Sequence, residues 1–141
     1  MMTSLLPLQI AEITHGANRS YSRHAGCKNK QRWNRLDALA HKRVEKGVLY
    51  AIDHPDCSPA DIHDHWVATM LRDGWEPGGV VDHGARVHRN LVPWDELTPR
   101  EQHKDVLFLA IVRALAPPRS AQNGDPEKAG FVNREGDIEF E

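Results

Sequence analysis

The chain has only two cysteines, Cys27 and Cys57, and neither has a second cysteine close enough in sequence for a zinc knuckle or a CxxC pair. Both are expected as free thiols in a reducing compartment. Long apolar runs are missing too: no stretch approaches the roughly 20 residues that a membrane span needs. The N-terminal MMTSLLPLQIAEI has no basic stretch ahead of its apolar residues and meets an acid at Glu12. The expectation is a cytoplasmic protein without a membrane partner. A P-loop is absent, since Gly78-Gly79 lacks the Lys-Ser/Thr that completes one, and no serine sits in GxSxG. The nine histidines thus have no nucleophile motif to serve, and no enzyme is expected. His63 and His65 form HxH, but residues two apart on a helix point about 200° away from each other and cannot share a metal. Neither a metal nor a cofactor is expected.

What is present is the composition of one globular core with appendages: 141 residues, 40% hydrophobic and 27% charged. The net charge of −2 hides an asymmetry. Residues 19–46 hold nine Lys and Arg against Asp37 and Glu45, a local +7 that leaves −9 on the rest. Such a segment suits phosphates.

Apolar periodicity predicts a mainly α fold of four principal helices. The first covers 8–24, with Ile10, Ile13, Ala17 and Tyr21 on one face and Ala25-Gly26 as its stop. The second covers 37–52, with Leu36, Ala40, Val44 and Val48 inward and His54-Pro55 as its end. Ser58-Pro59-Ala60-Asp61 opens the third, over 59–73, where Ile62, Trp66 and Met70 form a stripe widened by Val67 and Leu71. Thr98-Pro99-Arg100-Glu101 reads as a capping box for the fourth, over 99–116, whose apolar run from Val106 to Leu115 predicts the most buried helix. The Gly-rich stretch 74–93 predicts turns and a short β-hairpin, and residues 117–141 a flexible acidic tail.

Residues 62–115 resemble the ryanodine-receptor repeat (RyR domain), a module found in pairs in the receptors and singly in bacterial and phage proteins. The resemblance rests on an ordered pattern: His63 and Trp66 on a helix, Gly74-Trp75, Gly78, Asp82, His88, Leu91-Val92-Pro93-Trp94, Leu97 and Lys104-Asp105. It departs from the family at Pro77, where an aromatic is usual, and at Arg89, where proline is usual. The upstream IAEITHGANRSYS and Asp53-His54-Pro55-Asp56 are similar to the extension of phage relatives. The resemblance implies an N-terminal helical extension over 1–57, an RyR-like domain over 58–116, and the tail over 117–141.

Three functions compete. The first is a nucleotide or nucleotide-derived ligand, sensed or sequestered. In the receptors' paired repeats the equivalent tryptophans are associated with an adenine-nucleotide pocket, which implies a homodimer here with Trp75 at its two-fold contact. Trp94, His88 and Arg86 would lie nearby, with Arg72, Arg89 and Lys104 as further phosphate candidates. A tryptophan can equally plug a core, and for Trp75 both readings stand. The second is nucleic-acid binding through residues 19–46, where Arg19, Arg23, Lys28, Lys30, Arg32 and Arg35 surround Tyr21 and Trp33. The third is an assembly role, which requires an exposed apolar patch.

Overall fold

A computed structural model describes residues 5–28 and 30–116. The tail expected over 117–141 lies outside the described residues. Four helices dominate: α1 (Pro7–His24), α2 (Ala38–Asp53), α3 (Pro59–Arg72) and α4 (Pro99–Leu115), with 3-10 turns at Trp33–Arg35 and Trp94–Glu96. None of these is long and apolar enough to cross a membrane.

Local chemistry sets the helix ends. Asp37 accepts from the Ala40 N–H at 2.8 Å to start α2. Ser58 and Asp61 cap each other reciprocally at 3.1 and 2.9 Å, with Pro59 at the first helical position of α3. Gly26 (φ 96°) and Gly74 (φ 92°) take the left-handed conformation that ends α1 and α3. The capping box expected for α4 is only half made. Thr98 accepts from the Glu101 N–H at 3.3 Å, but the Glu101 carboxylate turns away to Asn90 and Lys104.

Between α3 and α4, β1 (Glu76–Pro77) and β2 (Val87–His88) pair in parallel. The antiparallel hairpin expected over 74–93 is reduced to one bridge, Asp82 to Val87. Gly78 fits there because a Cβ on it would stand 2.2 Å from Val87 Cγ1.

All four helices meet in one core. Ile10 and Ala11 of α1 pack with Val48 and Ala51 of α2, Ile62 of α3, Leu109 and Val112 of α4, and Cys57. The segments before and after residue 57 therefore share their interior. A second cluster, Met70, Trp75 and Leu91, lies under the Gly-rich stretch with Trp66 and Val67 against it. Burial corrects three expectations. α4 buries only Leu109 and Val112, fewer residues than α1 with Ile10, Ala11, Thr14, His15 and Ser22, and Val106 is 41% exposed. On α1 the inward face is rotated, leaving Ile13 43% exposed. On α3 Leu71 is 50% exposed. On α3 and α4 the apolar stripe is wider than the surface available to cover it.

Candidate functional site: a charged cavity inside the bundle

The inward face of α1 is polar. Thr14, Asn18 and Ser22 repeat every four residues, so they line up on one side of the helix with His15 beside them. That side opens on a cavity of about 410 Å³, lined by α1, the 27–31 connection, α2, α3, the 81–90 loop and α4.

Loops and helices contribute its charges. Arg19 Nε donates to the Lys30 carbonyl at 3.1 Å, which fixes the connection after α1 and sends the Lys30 side chain toward the cavity. Its ammonium forms no hydrogen bond or ion pair with the described residues. Burial, and the nearby Lys104, push the Lys30 pKa below that of an ordinary lysine. Opposite, Glu101 accepts from Asn90 Nδ2 at 2.8 Å and pairs with Lys104 at 3.0 Å. Burial alone would push the Glu101 carboxyl up, but the hydrogen bonds from Lys104 and Asn90 outweigh it and hold the group low. One turn further, burial and the Glu101 charge raise the Asp105 pKa to about 7, against the pull of Lys104 and Lys30.

Three of the five histidines that line the cavity each hold one ring nitrogen to the backbone. His15 Nε2 donates to the Gln31 carbonyl at 2.6 Å, and burial lowers its pKa. His63 Nε2 donates to the Val92 carbonyl at 2.7 Å, with Nδ1 at 3.9 Å from Asp105 Oδ2. His88 Nδ1 accepts from the Asn90 N–H at 3.0 Å. Burial, then the Lys30 charge, lower the His88 pKa to about 4, so the ring is neutral at physiological pH. Trp66 meets the edge of His88 at 5.0 Å and 78°, and Trp66 and Phe108 supply apolar wall. Phe108 approaches α2 because Gly47 has no side chain: a Cβ there would stand 3.3 Å from its ring.

Two polar atoms on this side of α1, Asn18 Oδ1 and Ser22 Oγ, are buried away from the cavity's accessible space and have no hydrogen-bond partner among the described residues. Buried polar groups are nearly always paired. The cavity brings Lys30 and Lys104 together with Glu101 and Asp105, an end of mixed charge. No family model, curated protein or solved structure matches this chain.

Of the residues expected at a ligand site, His88 and Lys104 line the cavity together, as does Arg89. Trp75 is 8% exposed in the second core cluster, behind His88 at a ring distance of 6.1 Å. Trp94 stands 6.1 Å from the His63 ring, on its own 3-10 turn. Arg86, exposed and at φ 58°, donates to the Asp73 carbonyl at 2.9 Å and so closes the end of α3. Arg72 is exposed on the last turn of α3. The basic segment divides. Lys30 turns inward, while Arg23, Lys28, Arg32 and Arg35 are exposed. Trp33 stacks on His41 at 4.1 Å, and Tyr21 lies tilted against His103 at 5.4 Å.

Sequence reasoning missed Asn18, Ser22, Asn90, Glu101 and Asp105 as members of one site. The four-residue repeat of Thr14, Asn18 and Ser22 was the available signal, because it continues the Ile10 face with hydrogen-bonding groups. The chain alone carried no signal that Lys30 leaves its basic neighbours.

Proposed function

We propose that the chain is a binding module for a nucleotide or nucleotide-derived small molecule, held in the cavity between the helices. The observation that carries this reading is the Lys30 ammonium, which lines the cavity without a direct hydrogen bond or ion pair among the described residues, although the Glu101 and Asp105 carboxyls lie near enough to act on it. Arg43, Arg89 and Lys104 add positive charge, against Glu101 and an Asp105 that is half protonated near neutrality. Arg43 is partly neutralised by Asp73 at 3.4 Å. An anionic group at this end would complete a charge-assisted hydrogen bond, while Trp66 and Phe108 offer apolar and aromatic surface to a ring. The volume of about 410 Å³ is within the range of small-molecule sites, roughly 300–1,000 Å³. Binding without catalysis is the reading because the sequence holds no nucleophile motif for the histidines of the cavity to serve. The resemblance to the RyR repeat agrees in ligand class, and sensing or sequestration follows from it by analogy. A homodimer with Trp75 at its contact is a separate part of the same proposal. The cavity itself is lined by residues of one chain.

The test is a thermal-shift screen with AMP, ADP, ADP-ribose and cyclic dinucleotides. A ligand at a hundred times its dissociation constant adds about 2.7 kcal/mol to stability. Lys30→Met is expected to weaken any nucleotide that binds by about 10- to 150-fold, the value of a hydrogen bond to a charged group. An unchanged affinity in a folded Lys30→Met protein, measured by calorimetry, would remove Lys30 from the site.

The exposure of Arg23, Lys28, Arg32 and Arg35 favours a second reading, nucleic-acid binding on the outer surface. Its expected signature is affinity that falls steeply with salt through counter-ion release, with a shallower slope once Arg32 and Arg35 are neutralised. Fluorescence anisotropy at about 50 mM salt, which favours such binding, decides: no binding of single- or double-stranded nucleic acid there ends this reading.

A further inference from the structure

The end of α1 places a thiol on the cavity. Gly26, at φ 96°, turns the chain back, and the last turn closes with hydrogen bonds from the Gly26 N–H to the Arg23 carbonyl at 3.0 Å and from the Cys27 N–H to the Ser22 carbonyl at 2.7 Å. Such a stop brings the residue after the glycine back against the last turn of the helix. Cys27 thereby returns to the side of α1 that opens on the cavity and lines it, half-buried and free. Three residues on, the hydrogen bond from Arg19 to the Lys30 carbonyl holds the connection. The Lys30 ammonium is buried at the same cavity without a hydrogen bond or ion pair among the described residues, and it and Cys27 lie near enough to act on each other. Glu101 and Asp105 oppose its charge, but Glu101 is held by Lys104 and Asn90, and Asp105, raised to about 7, is half protonated at neutral pH. Lys30 and Lys104 therefore outweigh the two carboxyls. The other thiol is no competitor: Cys57 is 7% exposed in the core, and burial pushes its pKa up.

We propose that Cys27 is a modification site, whose thiol reacts inside the cavity with small anionic electrophiles, in the cell with disulfides that carry carboxylates. A cysteine attacks through its thiolate, and its surroundings and access decide which reagents it meets. Lys30 makes the selection. A carboxylate on the incoming molecule completes the charge-assisted hydrogen bond that the ammonium otherwise lacks, which holds the electrophile near the sulfur. Thiol–disulfide exchange then needs no further oxidant. The Cys27 sulfur forms an S–S bond with one half of the small disulfide as that disulfide's own S–S bond breaks. The other half leaves with the electron pair of the broken bond and takes up the proton that Cys27 gave up. The retained half sits in the cavity with its carboxylate at Lys30, so modification closes the space to other ligands. The nucleotide reading is not required, since thiol and ammonium line the cavity whatever else it binds.

Alkylation of the full chain near neutral pH with iodoacetate and with iodoacetamide tests the selection, because the reagents differ only in a carboxylate against a carboxamide and both exchange iodide for sulfur. Peptide mass spectrometry reads the rate at each cysteine. In folded wild type Cys27 is expected to react and Cys57 to stay unmodified. The iodoacetate-to-iodoacetamide rate ratio at Cys27 should stand about 10-fold above that of the same chain unfolded in urea, the low end of a hydrogen bond to a charged group. Lys30→Met and Lys30→Gln should return the ratio to the unfolded value, while Lys30→Arg should keep it; a melting curve for each variant shows which are folded. Glutathione disulfide, a carboxylate-bearing probe, should add one glutathionyl group to wild type, on Cys27, and none to Cys27→Ser. Its rate should fall about 10-fold in Lys30→Met. Cys27 as slow as Cys57, a ratio equal to that of the unfolded chain, a ratio that survives in either folded uncharged variant, or a glutathionyl group on Cys57 instead overturns the inference. The expected ratios beside an empty nucleotide screen support it and remove the nucleotide reading alone.

Discussion

Trp75→Ala is expected to destabilise the protein by about 3–5 kcal/mol, the range for removing a buried tryptophan or phenylalanine. The indole is 8% exposed and packs with Met70 and Leu91. His83 meets its ring edge-on at 5.4 Å and 89°. Loss of the indole leaves a void under the Gly-rich stretch and removes the backing of His88. Urea denaturation measures the loss, and a change of less than about 1 kcal/mol would contradict the burial, since deletions in a core cost several times that. The same variant tests Trp75 as a ligand residue. Stacking on a base is worth roughly 1–3 kcal/mol, so a stacked Trp75 predicts a loss of about 5- to 150-fold in nucleotide affinity for the folded fraction. Trp75→Phe retains an aromatic face and most of the packing, which separates the two roles. Unchanged affinity in folded Trp75→Ala, beside the loss of stability, makes Trp75 a core residue alone.

Asp105→Asn should stabilise the protein at pH 8 and leave it nearly unchanged at pH 4. The Asp105 carboxyl ionises near its ordinary value of 3.8 when unfolded and at about 7 when folded. Between those values the folded state holds a proton that the unfolded state has released, so stability falls as pH rises. The contribution is complete below about 3.8 and lost as pH passes 7. The difference of about three pKa units corresponds to about 4 kcal/mol at most. The groups facing Asp105 are Glu101 and Lys104 on α4, Lys30 from the connection after α1, and His63 on α3.

His88 works in the opposite sense. Its pKa drops from 6.5 to about 4 on folding, so its neutral form contributes stability that is present above 6.5 and lost as pH falls through about 4. From about pH 4 to 6.5 the slopes from Asp105 and His88 cancel. Asp105→Asn exposes the His88 slope, and the variant gains on wild type across that interval. Urea denaturation at several pH values reads this directly. A gain that is the same at pH 4 and pH 8 would mean that Asp105 is not a strained carboxyl.

The sequence by itself determined where the helices are. Asp37, Ser58-Pro59 and Thr98-Pro99 at the starts, and Gly26 and Gly74 at the ends, act on backbone groups within a few residues. The observed bounds accordingly lie within a residue or so of the expected ones. Tertiary structure decided which face each helix turns inward. Ile10, Ile13, Ala17 and Tyr21 share a plausible stripe, yet contact with α2 and α4 selects the Ile10, Thr14, Asn18 and Ser22 side and leaves Ile13 outside. It also decided the chemistry. Glu101 reads locally as a helix cap, but the fold brings Asn90 and its amide to 2.8 Å, and the carboxylate forms the tertiary contact. Lys30 is one basic residue among many until Arg19 holds its backbone and directs its side chain into the cavity. Caps and turns are made by atoms a few bonds apart along the chain. The site is made by side chains from α1, α3, α4 and two connections, whose proximity depends on how the helices pack.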